Sequence, residues 1–220
     1  MRALVTDGQS SRWKVAEVPP PDIGPHEALV EVAAAGLNHA DLLMRQGRYL
    51  PTSADWNVPA NRVGFEMAGR VRAVGPHVRG IAPGQFVMAQ TGGACAELVA
   101  VDHQLLLPVP ESVAATDAAG LPSALLTEYD ALTVRAGIRP ADRVLITGAT
   151  SGVGLVGVQL ARALGAGTVP PRAAPPRPNC CGPWAPTTSS TRVPRGSWRP
   201  SAPTRTTSAS TMSEARRSPN

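Results

Sequence analysis

Residues 144 to 165 read Val144-Leu-Ile-Thr-Gly-Ala-Thr-Ser-Gly-Val-Gly-Leu-Val-Gly-Val-Gln-Leu-Ala-Arg-Ala-Leu-Gly165. A short β-branched and apolar run passes into a glycine-rich turn, and an amphipathic helical pattern starts at once. Within the turn, Gly152-x-Gly154-x-x-Gly157 has the spacing of a dinucleotide-binding loop, and its place between a buried strand and a helix gives that spacing its weight. On this reading Gly152 allows the tight turn, Gly154 lets a pyrophosphate approach bare backbone, and Gly157 lets the helix pack closely on the strand. The helix N-terminus offers unpaired N–H groups and a positive dipole end to the phosphates. Gly148, Ala149, Ser151, Gly152, Val153 and Gly154 are therefore the expected phosphate-side residues.

A few residues downstream the composition changes. From 170 to 220 there are 11 Pro, 8 Arg and 15 Ser plus Thr against one acid, Glu214, and no Leu, Ile, Phe, Tyr or Lys. The net charge of +5 divides unevenly: residues 1–169 carry 13 basic and 15 acidic side chains, and the remainder carries 8 and 1. Such a tail cannot bury enough apolar surface to offset the entropy of ordering it, so 170–220 is expected to be disordered. It has no aromatic-interleaved basic patch, and no specific nucleic-acid partner is expected. Its codons suggest an origin. When the third base of each codon is read with the first two of the next, Asn179-Cys-Cys-Gly-Pro-Trp-Ala-Pro-Thr187 permits Leu-Leu-Arg-Ala-Leu-Gly-Ala-Asp. The code forces the first two leucines and the glycine. The expectation is an out-of-frame translation of a GC-rich gene from about residue 170.

Upstream of the loop, residues 1–110 read as β-rich. Runs at 1–6, 13–18, 28–35, 61–74, 85–90 and 95–101 favour strands, with turns at Gly75-Pro76 and Pro83-Gly84. Leu29, Glu31 and Ala33 alternate with Val30, Val32 and Ala34, as a half-buried strand would. Residues 41–48 have room for a helical turn or two. Short strands with glycine and proline corners favour a small barrel or sandwich. Residues 112–137 turn helical, broken at Gly120 and Pro122, before a strand at 143–147 and a helix at 153–164. The fold class is α/β: a β-rich domain, a helical connection, and the first unit of a dinucleotide fold. Three cysteines without a CxxC pair give no disulfide framework. No secretory leader or membrane-length apolar run is read, so a soluble, cytoplasmic protein without membrane partners is expected.

The body resembles the medium-chain dehydrogenase/reductases, in their zinc-independent quinone oxidoreductase branch. The matching words are Gly36-Leu-Asn-His-Ala-Asp-Leu-Leu-Met-Arg-Gln-Gly-Arg-Tyr49, Val63-Gly-Phe-Glu-Met-Ala-Gly-Arg-Val71, Gly84-Gln-Phe-Val87, Gly93-Ala-Cys-Ala-Glu97 and Leu126-Thr-Glu-Tyr-Asp-Ala-Leu132. With the glycine loop they fall in the family's order across residues 1–169. The resemblance implies a GroES-like catalytic domain over 1–115 and the start of a Rossmann domain over 116–169, with the cofactor lying in the cleft between the two domains. It implies NADPH as hydride donor, with NADH the alternative, and a quinone or activated enone as acceptor. An enoyl-thioester reductase is the nearest rival, and a catalytically inactive truncated product the other class.

Zinc-dependent relatives place a cysteine where this chain has Asn38 and a histidine where it has Phe65; an amide is a poor zinc ligand and a phenyl ring is none. No zinc is expected. Asn38 and Tyr49 stand in the family's cleft-lining motif, where an amide N–H or a phenolic O–H can stabilise a developing oxyanion. Thr127 lies where the family contacts the nicotinamide end. Asp41 reads as a helix-start acceptor, Glu66 as support for its neighbours, and Cys95 as a small buried residue. The strands that complete a Rossmann domain do not follow residue 169. That argues against the family's homodimer through the cofactor domain and against tight cofactor binding by the chain as written.

Overall fold

The computed structural model describes residues 1–6, 12–46, 48, 61–169 and 206–209, and it divides into two units, Met1–Ser123 and Ala124–Asn220.

Period-2 patterning builds the first unit. β1 (Arg2–Thr6) and β2 (Trp13–Glu17) form an antiparallel pair. β3 (Glu27–Gly36), β4 (Glu66–Val74), β5 (Phe86–Gln90), β6 (Leu98–Asp102) and the two-residue β7 (Leu107–Pro108) form an antiparallel sheet in the order β6-β3-β4-β5-β7. Isolated bridges at Ala3↔Ala96 and Val5↔Arg62 link β1 to loops of this unit. Ala28, Val30, Met67, Val71, Val87, Ala89, Val99 and Val101 share one buried cluster. Each large side chain taken out of water there contributes up to about 1.5–3 kcal/mol.

The simple alternation expected for 29–34 does not run the full length of β3. Its register against β4 shifts between Leu29 and Val30 and again between Val32 and Ala34. Val30 and Val32 therefore join the main cluster, while Ala34 joins Ala68 and Met88 on the opposite face. An extra residue in one strand turns the side chains beyond it to the other side. That second face is covered by α2 (Ala115–Ala119), through Ala118 and Ala119.

α3 (Pro122–Tyr129) begins at the end of the first unit and, within the second, continues into a π-helical turn over Asp130–Arg135. β8 (Arg143–Ile146), α4 (Gly152–Ala163) and β9 (Gly167–Val169) then form a parallel βαβ unit, pairing Arg143 with Gly167. Leu132, Val144, Ile146, Ala161 and Ala166 make its core. Within the stretch expected to lack structure, Thr206–Ala209 forms β10, parallel to β8 on the side opposite β9. β8 thus has a partner on each edge, where the sequence suggested few; a central strand leaves no backbone group unpaired. Among the described residues no helix is long and apolar enough to cross a membrane.

Candidate active site and phosphate-binding loop

β3 ends at Gly36, directly opposite Glu66, which opens β4. Two residues on, Asn38 is the N-cap of α1 (His39–Arg45), in extended conformation at φ −113° and ψ 156°. Its backbone N–H donates to Asp41 Oδ2 at 2.7 Å, so Asp41 is the helix-start acceptor its position suggested. Asn38 and Asp41 form a capping box, and the Asn38 side chain also reaches the sheet, where Nδ2 donates to Glu66 Oε1 at 2.7 Å. Glu66 is 2% exposed, and its other oxygen accepts the Ser123 backbone N–H at 2.8 Å. The geometry needs a glycine at 36: a Cβ there would stand 2.7 Å from the Ala119 carbonyl oxygen and closer still to Glu66 Oε1.

An Asn amide carries two N–H donors. Glu66 takes one and fixes the plane of the group, leaving the second to a further acceptor. Asp41 is also buried, and among the described residues its Oδ1 has no hydrogen-bond partner. Burial raises its carboxyl above the usual range and the Glu66 charge adds to this, while N–H groups of Asn38 and Gly64 pull it back. Cys95 lies against Gly64, and burial, helped by the Asp41 charge, pushes its thiol to about 11. A thiol so raised stays protonated at neutral pH and is no nucleophile. Phe65 is buried. Asn38 and Phe65 do not make a zinc donor set, and no step is assigned to a metal here.

The loop after β8 corrects the expected division of labour among the glycines. The tight turn falls on Gly148, at φ +71°, not on Gly152. Ser151 caps α4, its Oγ accepting the Gly154 N–H at 3.0 Å. The Leu155 N–H reaches the Ser151 carbonyl at 2.9 Å, so Gly152 and Val153 hold the leading amides without an acceptor inside the helix. Open space lies where a side chain at 152 would stand, so Gly152 is the bare backbone that an anion can approach. Gly154 serves packing: a Cβ there would sit 2.7 Å from Ala149 Cα. Gly157 packs not on the strand but on α3, its missing side chain making room for the Glu128 carboxyl. These amides and the open backbone suit a phosphate of a nicotinamide dinucleotide.

Thr127 is exposed on α3, next to the buried Glu128. Tyr49 lies outside the described residues. The reading from sequence passed over Gly36 and Ser123 as supports of Glu66, and Glu128 as the partner of Gly157. One signal was present for Glu128, which falls on the helical stripe of Ala124 and Leu132, both buried. Burial raises the Glu128 carboxyl above the usual range.

Known proteins share this architecture. Residues 24–111 match the alcohol dehydrogenase GroES-like domain. Erythronolide synthase EryA2 of Saccharopolyspora erythraea is 42% identical over 163 residues, 72% of this chain and 4% of that protein. The chloroplastic quinone-oxidoreductase QR1 of Triphysaria versicolor is 34% identical over 177 residues, 74% of this chain and 52% of that protein. Among solved structures, the CurK enoyl reductase matches with a TM-score of 0.69 at 28% identity, covering 77% of this chain and 53% of its own. The quinone oxidoreductase of Thermus thermophilus, solved also with NADPH, matches with a TM-score of 0.63 at 33% identity, covering 77% and 52%. The chain thus spans about half the length of these oxidoreductases and a small part of the synthase.

A GroES-like domain followed by a glycine-loop βαβ unit is the plan of an alcohol-dehydrogenase-type protein. Residues 24–111 carry the alcohol dehydrogenase GroES-like domain, and the chain as a whole is similar to oxidoreductases of the medium-chain dehydrogenase/reductase kind, quinone oxidoreductases among them.

Proposed function

We propose that this chain is the GroES-like and first cofactor-binding part of an oxidoreductase that transfers hydride from NADPH to a quinone or activated enone without zinc. The observation that carries the reading is the Asn38–Glu66 pair: a buried carboxylate holds one N–H of the amide at 2.7 Å and leaves the other for a substrate oxygen. Bound NADPH supplies the hydride. Asn38 meets the oxyanion that develops on the acceptor, where a fixed donor is worth far more than one that must reorient. Glu66 is a positioning residue, since it acts through Asn38. The Gly152 and Val153 amides at the start of α4 hold the cofactor phosphates.

The likeness to the CurK enoyl reductase favours a second reading, reduction of an enoyl thioester. Both readings place negative charge on an oxygen conjugated to the accepting carbon, so Asn38 serves either. Turnover of NADPH with a quinone panel and with enoyl thioesters, on protein expressed from a frame-corrected gene, separates them. The quinone reading expects quinone turnover, with Asn38→Ala lowering kcat/KM by about 10²–10³. Activity on thioesters alone selects the second reading. No oxidation of NADPH with either class overturns both.

A further inference from the structure

α2 covers the end of the sheet face that carries Ala34, Ala68 and Met88. Farther along the same face, Leu98, Glu31, Arg70 and Phe86 stand in register across β6, β3, β4 and β5. They form one row, and this row lines an open groove. Two basic side chains, Arg70 and Arg72, and two acidic ones, Glu31 and Glu97, line that groove, so the face carries no net charge.

The charges are not all used inside the chain. Those of Glu97 are: Arg2 Nε donates to its Oε1 at 2.7 Å and the Arg2 backbone N–H to its Oε2 at 2.8 Å. Arg72 Nη2 donates to Glu31 Oε1 at 2.7 Å, which leaves Glu31 Oε2 without a hydrogen bond among the described residues. Arg70 stands directly opposite Glu31 on the neighbouring strand but turns away from it. Its Nη1 donates to the Gly84 carbonyl at 2.6 Å, and its guanidinium carbon lies 5.9 Å from the centre of the Phe86 ring. Among the described residues Arg70 meets no carboxylate. The row thus sets an acid beside a base, each with bonding capacity to spare, between two apolar side chains.

That order, apolar, acid, base, apolar, is its own complement. A two-fold axis running along the strands, midway between β3 and β4, turns a second copy over so that its Arg70 lies above Glu31 and its Glu31 above Arg70. The same rotation sets Phe86 of each copy above Leu98 of the other. Sheets packed face to face stand about 10 Å apart, a gap that these side chains bridge from both sides. A partner of one charge sign, such as a nucleic acid, would meet a repelling side chain for every attracting one. We infer that this face joins two copies of the chain in an isologous dimer through the first unit. Two Arg70–Glu31 pairs hold its centre and a Phe86–Leu98 contact closes each end. Four strands make the patch only about 15 Å wide, so the dimer is weak, with a dissociation constant on the order of 10 μM.

Sedimentation equilibrium of the full chain under reducing conditions, at concentrations up to about 200 μM, tests this. The parent is expected to dimerise reversibly, and less so as sodium chloride is raised to about 1 M. Arg70→Glu and Glu31→Arg are each expected to stay monomeric, because like charges then face each other. An equimolar mixture of the two restores opposite charges at both central contacts and is expected to dimerise again. Circular dichroism of each variant reports folding. Arg70→Ala, which removes the charge without reversing it, weakens association by about tenfold or more and takes the place of a reversal that does not fold. A parent that stays monomeric up to about 200 μM overturns the inference. So does a dimer that either reversal leaves intact, or a pair of monomeric reversals that do not recombine on mixing.

Discussion

At the scale of single residues, the buried carboxylates set the behaviour. Asn38→Ala removes a donor from a buried oxygen of Glu66 and is expected to cost about 1–3 kcal/mol in chemical denaturation, apart from its effect on turnover. Glu66→Gln keeps the shape but turns an amide N–H₂ toward one of two donors, Asn38 Nδ2 or the Ser123 N–H, and should lower Tm as well. Asp41 and Glu128 both have carboxyls raised chiefly by burial. The folded chain therefore binds more protons than the unfolded one. Their contribution to stability is complete below the ordinary carboxylate range, about pH 4, and is lost as pH rises through the raised values. Glu128→Gln, which carries no charge to desolvate, is expected to have a higher Tm than the parent at pH 7. The two should converge as the pH falls to 4. A difference unchanged across that range would contradict the assignment.

At the scale of elements, the two leading glycines of the loop make opposite predictions. Gly152→Ala meets open space and should leave Tm unchanged while weakening NADPH binding, because its methyl stands where phosphate approaches. Gly154→Ala crowds Ala149 and the Gly148 carbonyl and should lower Tm directly, by about 1–3 kcal/mol of overpacking. Thermal melts of the two variants settle which glycine faces the ligand. The sequence revealed the elements far better than their contacts. The strand read at 143–147, the helix read at 153–164 and the breaks at Gly120 and Pro122 follow from local patterning, and β8 and α4 lie within a residue of those bounds. That Glu66 reaches both Asn38 and Ser123 could not be read, since 28 and 57 residues separate the partners. The glycine roles were misassigned for a related reason: spacing says where glycines stand but not which neighbour crowds each one.

At the scale of the whole molecule, the matched solved structures cover 77% of this chain, the fraction that residues 1–169 make of its 220. The tail's codons carry a separate proposal, that the coding frame changes near residue 170. Resequencing the gene across codons 160–220 is expected to reveal a missing or extra base near codon 169. A confirmed sequence would retire that proposal. A dinucleotide makes contacts well beyond one phosphate turn, so the 220-residue chain is expected to bind NADPH more weakly than micromolar, and the frame-corrected protein more tightly. Fluorescence titration of the two products compares them, and a micromolar dissociation constant for the shorter one would contradict this.

The offset between Val32 and Ala34 bears on how this protein can vary. The side of the sheet on which β3 delivers the chain to Gly36 and Asn38 is decided by a count of residues, not by their chemistry. Almost any small apolar side chain at 33 preserves that delivery, whereas removing residue 33 would present Asn38 to the wrong side of the sheet with every nearby letter unchanged. Position 33 should accept small apolar substitutions across related genes, and the stretch from Val32 to Gly36 hardly ever a change in length.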